Sequence, residues 1–132
     1  MQITSGPKRV LHTFKIMNRG GAETLIMNIY RHINRKEVQF DFAVHSDAPG
    51  HYDDEIRSLG GRIFRLPEPR KGIKAYTRSL RKILRDHGPF IGVHSHLLFF
   101  SGIILYTANK EGIPIRIAHS HSTKDGYALN LK

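Results

Sequence analysis

The sequence predicts an α/β fold: a Rossmann-like parallel sheet with helices on both faces. Three observations predict it. Short β-type runs alternate with helical periods from one end to the other. No internal repeat, low-complexity tract or linker breaks that alternation. The length, 132 residues, gives room for one domain and not two.

The elements follow in order. Lys8 to Phe14 reads as a first strand, and a loop then ends in Gly20-Gly21. Ala22, Leu25, Ile26, Ile29, Tyr30 and Ile33 recur at helical spacing and predict one apolar face of a long helix. Val38, Phe40, Phe42 and Val44 alternate with Gln39, Asp41, Ala43 and His45, which is the period of a strand. Asp53, Asp54 and Glu55 sit where a first helical turn favours negative charge, and Gly60-Gly61 stops that short helix.

A third strand runs from Arg62 to Leu66 and is halted by Pro67 and Pro69. Ile73, Tyr76, Leu80, Ile83 and Leu84 mark the inner face of a basic helix, with Gly88-Pro89 as its stop. Phe90 to His96 is a fourth strand, and Phe99 to Glu111 a helix ended by Gly112. Ile115, Ile117, His119 and His121 share one side of a fifth strand. Residues 122–132 carry Tyr127, Leu129 and Leu131 with nothing left to pack them, the expectation for a piece of a longer protein.

Composition narrows the chemistry. With 39% hydrophobic and 24% charged residues there is apolar material for a core. Cysteine is absent, which excludes disulfide scaffolds, thiol catalysis, cysteine-ligated zinc and iron–sulfur clusters. No charged-then-apolar leader opens the chain, and Leu97 to Ala108 is too short and interrupted to span a bilayer. A cytoplasmic address is therefore expected.

The net charge is +10, a field that favours polyanions. From Arg62 to His87 nine basic residues face only Glu68 and Asp86, so this stretch carries +7 of the total. The helix within it is either a solvated charged face or a surface for acidic lipid, with Lys74, Arg78, Lys82 and Arg85 as contacts and a peripheral position at the inner membrane face. Nucleic acid is not expected, because no aromatic platform or recognised module accompanies the charge.

In open parallel sheets, ligands bind beyond the carboxyl ends of the strands. Three features fall there. Arg19, Gly20, Gly21 and Glu23 lie between the first strand and the long helix, where close backbone approach and free helix N–H groups suit a phosphate. The spacing is neither G-x-G-x-x-G nor a P-loop, and a plain glycine turn is the alternative. His94-Ser95-His96 and His119-Ser120-His121 end the fourth and fifth strands, and alternation puts each histidine pair on one face. Imidazoles so placed could line a site or ligate a metal, although Asp125 is the only carboxylate close in sequence.

Taken in order, Asn18-Arg19-Gly20-Gly21-Ala22-Glu23, the Val38–His45 strand, Gly92-Val93-His94-Ser95-His96 and Arg116 to Thr123 resemble a known family. The likeness is to the N-terminal domain of the family 4 retaining glycosyltransferases of two-domain GT-B fold, in its bacterial capsular and exopolysaccharide, EpsF-like branch. It runs from about Lys8 to Thr123.

The resemblance implies that Gly20 and Gly21, with Arg19 and Glu23, line the cleft beside the donor diphosphate. It implies that His121 sits at the transferring sugar and His96 on the same rim. Residues 1–132 would then be a single, truncated, acceptor-side domain. The resemblance implies a second, nucleotide-sugar domain that carries a pair of glutamates in E-x7-E spacing, and that domain is expected to be absent here, since no two glutamates stand in that spacing. The implied partners are a nucleotide-sugar donor and a glycan or lipid-linked acceptor, with no cofactor and no metal. The fragment alone is expected to be inactive. Two other readings stay open: a non-enzymatic polyanion- or membrane-binding module, and a histidine-ligated metal enzyme. His121 is expected to be partly accessible and to face the Gly20-Gly21 loop, with His119 the more buried.

Overall fold

The computed structural model describes residues 6–97 and 100–119. Five strands, β1 (Lys8–Phe14), β2 (Val38–Val44), β3 (Ile63–Arg65), β4 (Gly92–Ser95) and β5 (Ile115–Ala118), form one sheet in the order β3-β2-β1-β4-β5. Every pairing is parallel. The helices are α1 (Gly21–His32), α2 (Asp53–Ser58), α3 (Ile73–Asp86) and α4 (Ser101–Lys110), with a 3-10 turn over Pro69–Lys71 before α3. The Rossmann-like sheet expected from the sequence is the observed one.

Helices cover both faces, and each face has its own core. On one side Ile26, Met27 and Tyr30 of α1 and Ile56 of α2 pack with Phe14, Phe40, Phe42 and Val44. On the other, Tyr76, Leu80, Ile83 and Leu84 of α3 and Ile104 and Ala108 of α4 pack with Leu11, Ala43 and Val93. Alternation along β1 and β2 deals successive side chains to the two cores.

Several boundaries and faces differ from expectation. In α1 the buried stripe is Ile26, Met27 and Tyr30, while Leu25 and Ile29 stay 43% and 42% exposed. The apolar arc of that helix is wider than the strip β1 and β2 can cover. The first apolar residue of α3, Ile73, is likewise exposed. β2 is buried from Gln39 onward on both faces. Its polar residues are buried with partners. Asp41, fully buried, accepts from Arg9 Nη1 at 2.8 Å and from Arg62 Nη2 at 2.7 Å, and also takes the Arg62 backbone N–H at 2.9 Å. β4 is shorter than predicted, and α4 spans Ser101–Lys110, the expected start at Phe99 lying outside the described residues. β5 is an edge strand, exposed throughout its length. Residues 122–132, with Tyr127, Leu129 and Leu131, lie outside the described residues.

Strand order reverses between β1 and β4, so the crevice at their carboxyl ends is the topological switch point where such sheets take ligands. No helix among the described residues is long and apolar enough to cross a membrane.

Candidate functional site

The switch point is lined with imidazoles. His12 of β1 is in register with His94 of β4, and residues in register on parallel strands point to the same face. His12 Nδ1 lies 3.1 Å from His96 Nε2, and His94 Nε2 lies 3.1 Å from His119 Nδ1. The His94 and His96 rings stack at 4.1 Å, and His96 stacks on Phe14 at 4.1 Å with the planes 6° apart. The expected neighbourhood of the two histidine pairs is therefore present for His94, His96 and His119. His121 and its placement relative to the Gly20-Gly21 loop and to His119 lie outside the described residues.

His12 is the member that sequence reading missed. It is fully enclosed between Phe40, in an edge contact at 4.2 Å, and the Phe42 ring at 5.5 Å. Burial, and then the neighbouring His94, push its pKa well below the usual histidine range. Its Nε2 is buried with no hydrogen-bond partner among the described residues. The signal was a polar residue at the middle of the Val10-His12-Phe14 alternation, which an apolar core does not need.

His12, His94 and His96 each bring a ring nitrogen within 4.8 Å of the others, close enough to share a metal ion. The ring planes argue against it. A metal lies in the plane of each ligating imidazole, and here the His12–His96 planes are 26° apart and the His94–His96 planes 27°, overlapped face to face. Three such rings would have to turn before their lone pairs converged. As they stand, they suit hydrogen bonding along a polar rim.

The glycine loop is held from the opposite side. Asn18 Oδ1 accepts the His51 backbone N–H at 2.7 Å, and the Met17 carbonyl accepts that of Tyr52 at 2.9 Å. Thr24 Oγ1 meets the Tyr52 hydroxyl at 2.8 Å. Gly20 is extended at φ −81°, and α1 begins at Gly21 with no side chain capping it. Glu23 folds back so that a Cβ on Gly20 would fall 2.4 Å from its Oε1, whereas Gly21 has nothing within 4 Å. Arg19 is exposed. The loop and the histidines share the carboxyl edge, but among the described residues no hydrogen bond joins them.

A cavity of about 570 Å³ opens at the same edge on the α3 side. The residues just past four strands build it: Lys15 after β1, His45 after β2, Leu66 after β3 and Leu97 beyond β4. His45 Nε2 meets the Tyr76 hydroxyl at 3.0 Å. Burial pushes the His45 pKa down to about 4, with Glu68 opposing and Lys15 adding to the shift. Burial raises the Tyr76 hydroxyl well above its usual range. Both are neutral at neutral pH. Sequence reading also missed this cavity, whose local signal is the basic pair Arg70-Lys71 shortly after β3.

The basic helix is partly self-neutralised. Lys82 Nζ donates to Asp86 at 2.8 Å, and Arg85 Nε donates to Glu111 at 2.7 Å. Lys74 and Arg78 are exposed and have no carboxylate partner among the described residues.

These features sit in a sequence that matches the model of Glycosyltransferase Family 4 over residues 19–131. The chain belongs to that family. It is 43% identical over 131 residues to "Putative glycosyltransferase EpsF" of Bacillus subtilis (strain 168), covering 98% of this chain and 34% of that protein. It is 35% identical over 119 residues to "Capsular polysaccharide biosynthesis glycosyltransferase CapH" of Staphylococcus aureus, covering 89% of this chain and 32% of that protein. The chain thus spans about a third of the length of both relatives.

Proposed function

We propose that this chain is the acceptor-side domain of a retaining GT-B glycosyltransferase. The whole enzyme would move a sugar from a nucleotide-diphosphate donor to a polysaccharide or lipid-linked acceptor. The observation that carries the reading is convergence at one sheet edge, in a family 4 chain, of an uncapped helix N-terminus, a histidine rim and a cation-bearing cavity.

Each part suits a step. Transfer builds negative charge on the leaving diphosphate, and the first N–H groups of α1, with Arg19, oppose that charge. Glu23 sits in the same turn and keeps its carboxylate folded toward Gly20. His96 and His121 would hydrogen-bond sugar hydroxyls and fix the ring for attack. Groups on the donor side come from a second domain, so the 132 residues alone should bind nucleotide sugar weakly and transfer nothing. The enzyme needs no metal in this reading, works in the cytoplasm, and meets the membrane through Lys74 and Arg78, assisted by Lys82 and Arg85.

The test is sugar transfer by the longer protein that carries this domain, with and without His96→Ala and His121→Ala. Loss of a group acting in the transition state lowers turnover by about 10²-fold or more. Full turnover in both variants would refute the assigned site.

A further inference from the structure

We propose that the cavity bordered by Lys15, Arg70 and Lys71 binds a phosphate or diphosphate on the acceptor, next to the sugar or alcohol that receives the transferred residue. The inference rests on the glycosyltransferase reading and adds the charge class of the acceptor.

The cavity has four cations on its wall, Lys15, Arg65, Arg70 and Lys71, against the carboxylates of Asp47 and Glu68. Arg65 is engaged: it donates through Nη1 to the Ser46 carbonyl and approaches Asp53 at 3.8 Å. The other three cations are exposed, and no carboxylate pairs with them among the described residues. Three unpaired cations from two separate segments converge on one concavity, at the edge where this kind of sheet takes its ligands. The wall carries more cations than carboxylates, and an entering anion relieves that excess.

The backbone adds to the same potential. The 3-10 turn Pro69–Lys71 leads through Gly72 into α3, a helix of 14 residues. Its N-cap glycine has no side chain to offer, and no acidic residue occupies its first turn. The positive end of the α3 dipole is thus left without a protein counter-charge beside Lys71. Pro67 and Pro69 limit the freedom of the segment that carries Arg70, so less ordering is lost on binding.

The remaining wall suits what is attached to the phosphate. Asp47 and Glu68 are acceptors for sugar hydroxyls, and Leu66, Leu97 and Phe100 give an apolar surface. His45, neutral through its depressed pKa, does not add a fifth cation. A carbohydrate or lipid head joined to phosphate matches the mixture better than a free polyanion, which would meet two carboxylates.

The test measures binding of three probes to the 132-residue chain by calorimetry, with amide shifts locating the site. The probes are inorganic pyrophosphate, a short-chain prenyl diphosphate and uridine diphosphate. Expected is binding of pyrophosphate and the prenyl compound with shifts at Lys15, Arg70 and Lys71, and tenfold or greater weakening in Arg70→Gln/Lys71→Gln. Lys36 is an exposed cation away from the cavity, and Lys36→Gln should leave affinity unchanged. All these side chains are exposed, and thermal melts check that each variant folds. No shift at the cavity, or no loss in the double variant, overturns the proposal. Uridine diphosphate binding there as tightly as the prenyl compound also overturns it, by assigning the cavity to the donor. In the longer protein, Arg70→Gln/Lys71→Gln should raise KM for the acceptor tenfold with donor KM unchanged. Absence of all transfer by the unsubstituted protein would instead refute the glycosyltransferase reading, and leaves the binding result to decide the cavity.

Discussion

His12 Nδ1 and His96 Nε2 stand 3.1 Å apart although 84 positions separate them in the chain. The contact exists because β1 and β4 are neighbours at the switch point and because both residues fall on the face that α1 covers. A buried β1 imidazole thereby supports the rim residue that is proposed to meet the sugar. His12→Phe should keep the fold's packing against Phe40 and Phe42 but release His96. Turnover of the longer protein should fall, and the larger ring in a closed core site should cost about 1–3 kcal/mol of stability. Calorimetric melts beside initial rates check both. Unchanged turnover would show that His12 is only a core filler.

Acid should destabilise the domain. His12 and His45 are both held neutral by burial, with His45 at about 4. The unfolded chain then binds more protons than the folded one, so stability falls as pH drops below the ordinary histidine value of about 6.5 and continues to fall toward the folded pKa. For His45 the loss between about pH 7 and about pH 5 is on the order of 2 kcal/mol. Urea midpoints across that range should decline, and His45→Gln should decline less. A flat profile for the native chain would contradict the assignment.

Asp41 tests the electrostatic tie between β1, β2 and β3. Its carboxylate is buried and takes Arg9 and Arg62 together. Asp41→Ala leaves both guanidinium groups without their partner and should cost about 3–5 kcal/mol by denaturant unfolding. Less than about 1 kcal/mol would mean the arginines find water instead.

The architecture was legible because alternation of period and glycine punctuation were both strong. The succession of strands and helices and the basic helix followed from them, whereas the strand order came from the structure. Burial at particular positions was less legible. Leu25 and Ile29 fit the helical period as well as Ile26, and only the width of the sheet beneath decides which are covered. β2 was legible as a strand, but burial on both of its faces was not, because Asp41 and His45 are polar. The partners that make their burial tolerable, Arg9, Arg62 and Tyr76, come from elsewhere in the chain. The His94 and His96 pair was visible as spacing. His12 was missed because one polar residue inside an apolar alternation lacks the paired spacing of His94 and His96, and the cavity was missed because its wall is gathered from the ends of four strands.

Glycine substitutions separate loop geometry from loop function. A Cβ at Gly61 would lie 2.7 Å from the Tyr30 hydroxyl, 2.8 Å from Ile56 and 2.9 Å from the Phe40 carbonyl, so Gly61→Ala should destabilise by about 1–3 kcal/mol. Gly21→Ala meets nothing within 4 Å and opens a helix, so stability should hold or rise by up to about 1 kcal/mol. If the loop lies against the donor diphosphate, the same Gly21→Ala should still slow the longer protein. Wild-type rates in Gly21→Ala would remove the close backbone approach from the account.

The internal pairing of Lys82 and Arg85 changes the membrane expectation. Lys74→Glu/Arg78→Glu should remove most of the co-sedimentation with anionic vesicles, since each free cation near such a surface contributes about 1 kcal/mol. Lys82→Glu should do less, because its charge is already met by Asp86. Equal binding by all three proteins, or binding that resists high salt, would contradict a screened electrostatic contact.

The central claim is that these residues supply the acceptor side of a two-sided active site. Its most direct measurement is transfer of labelled sugar from nucleotide donors to a lipid-diphosphate acceptor, run in parallel with the 132-residue chain and with the longer protein. The account predicts product from the longer protein and none from the chain. Product formed by the 132-residue chain alone would contradict it.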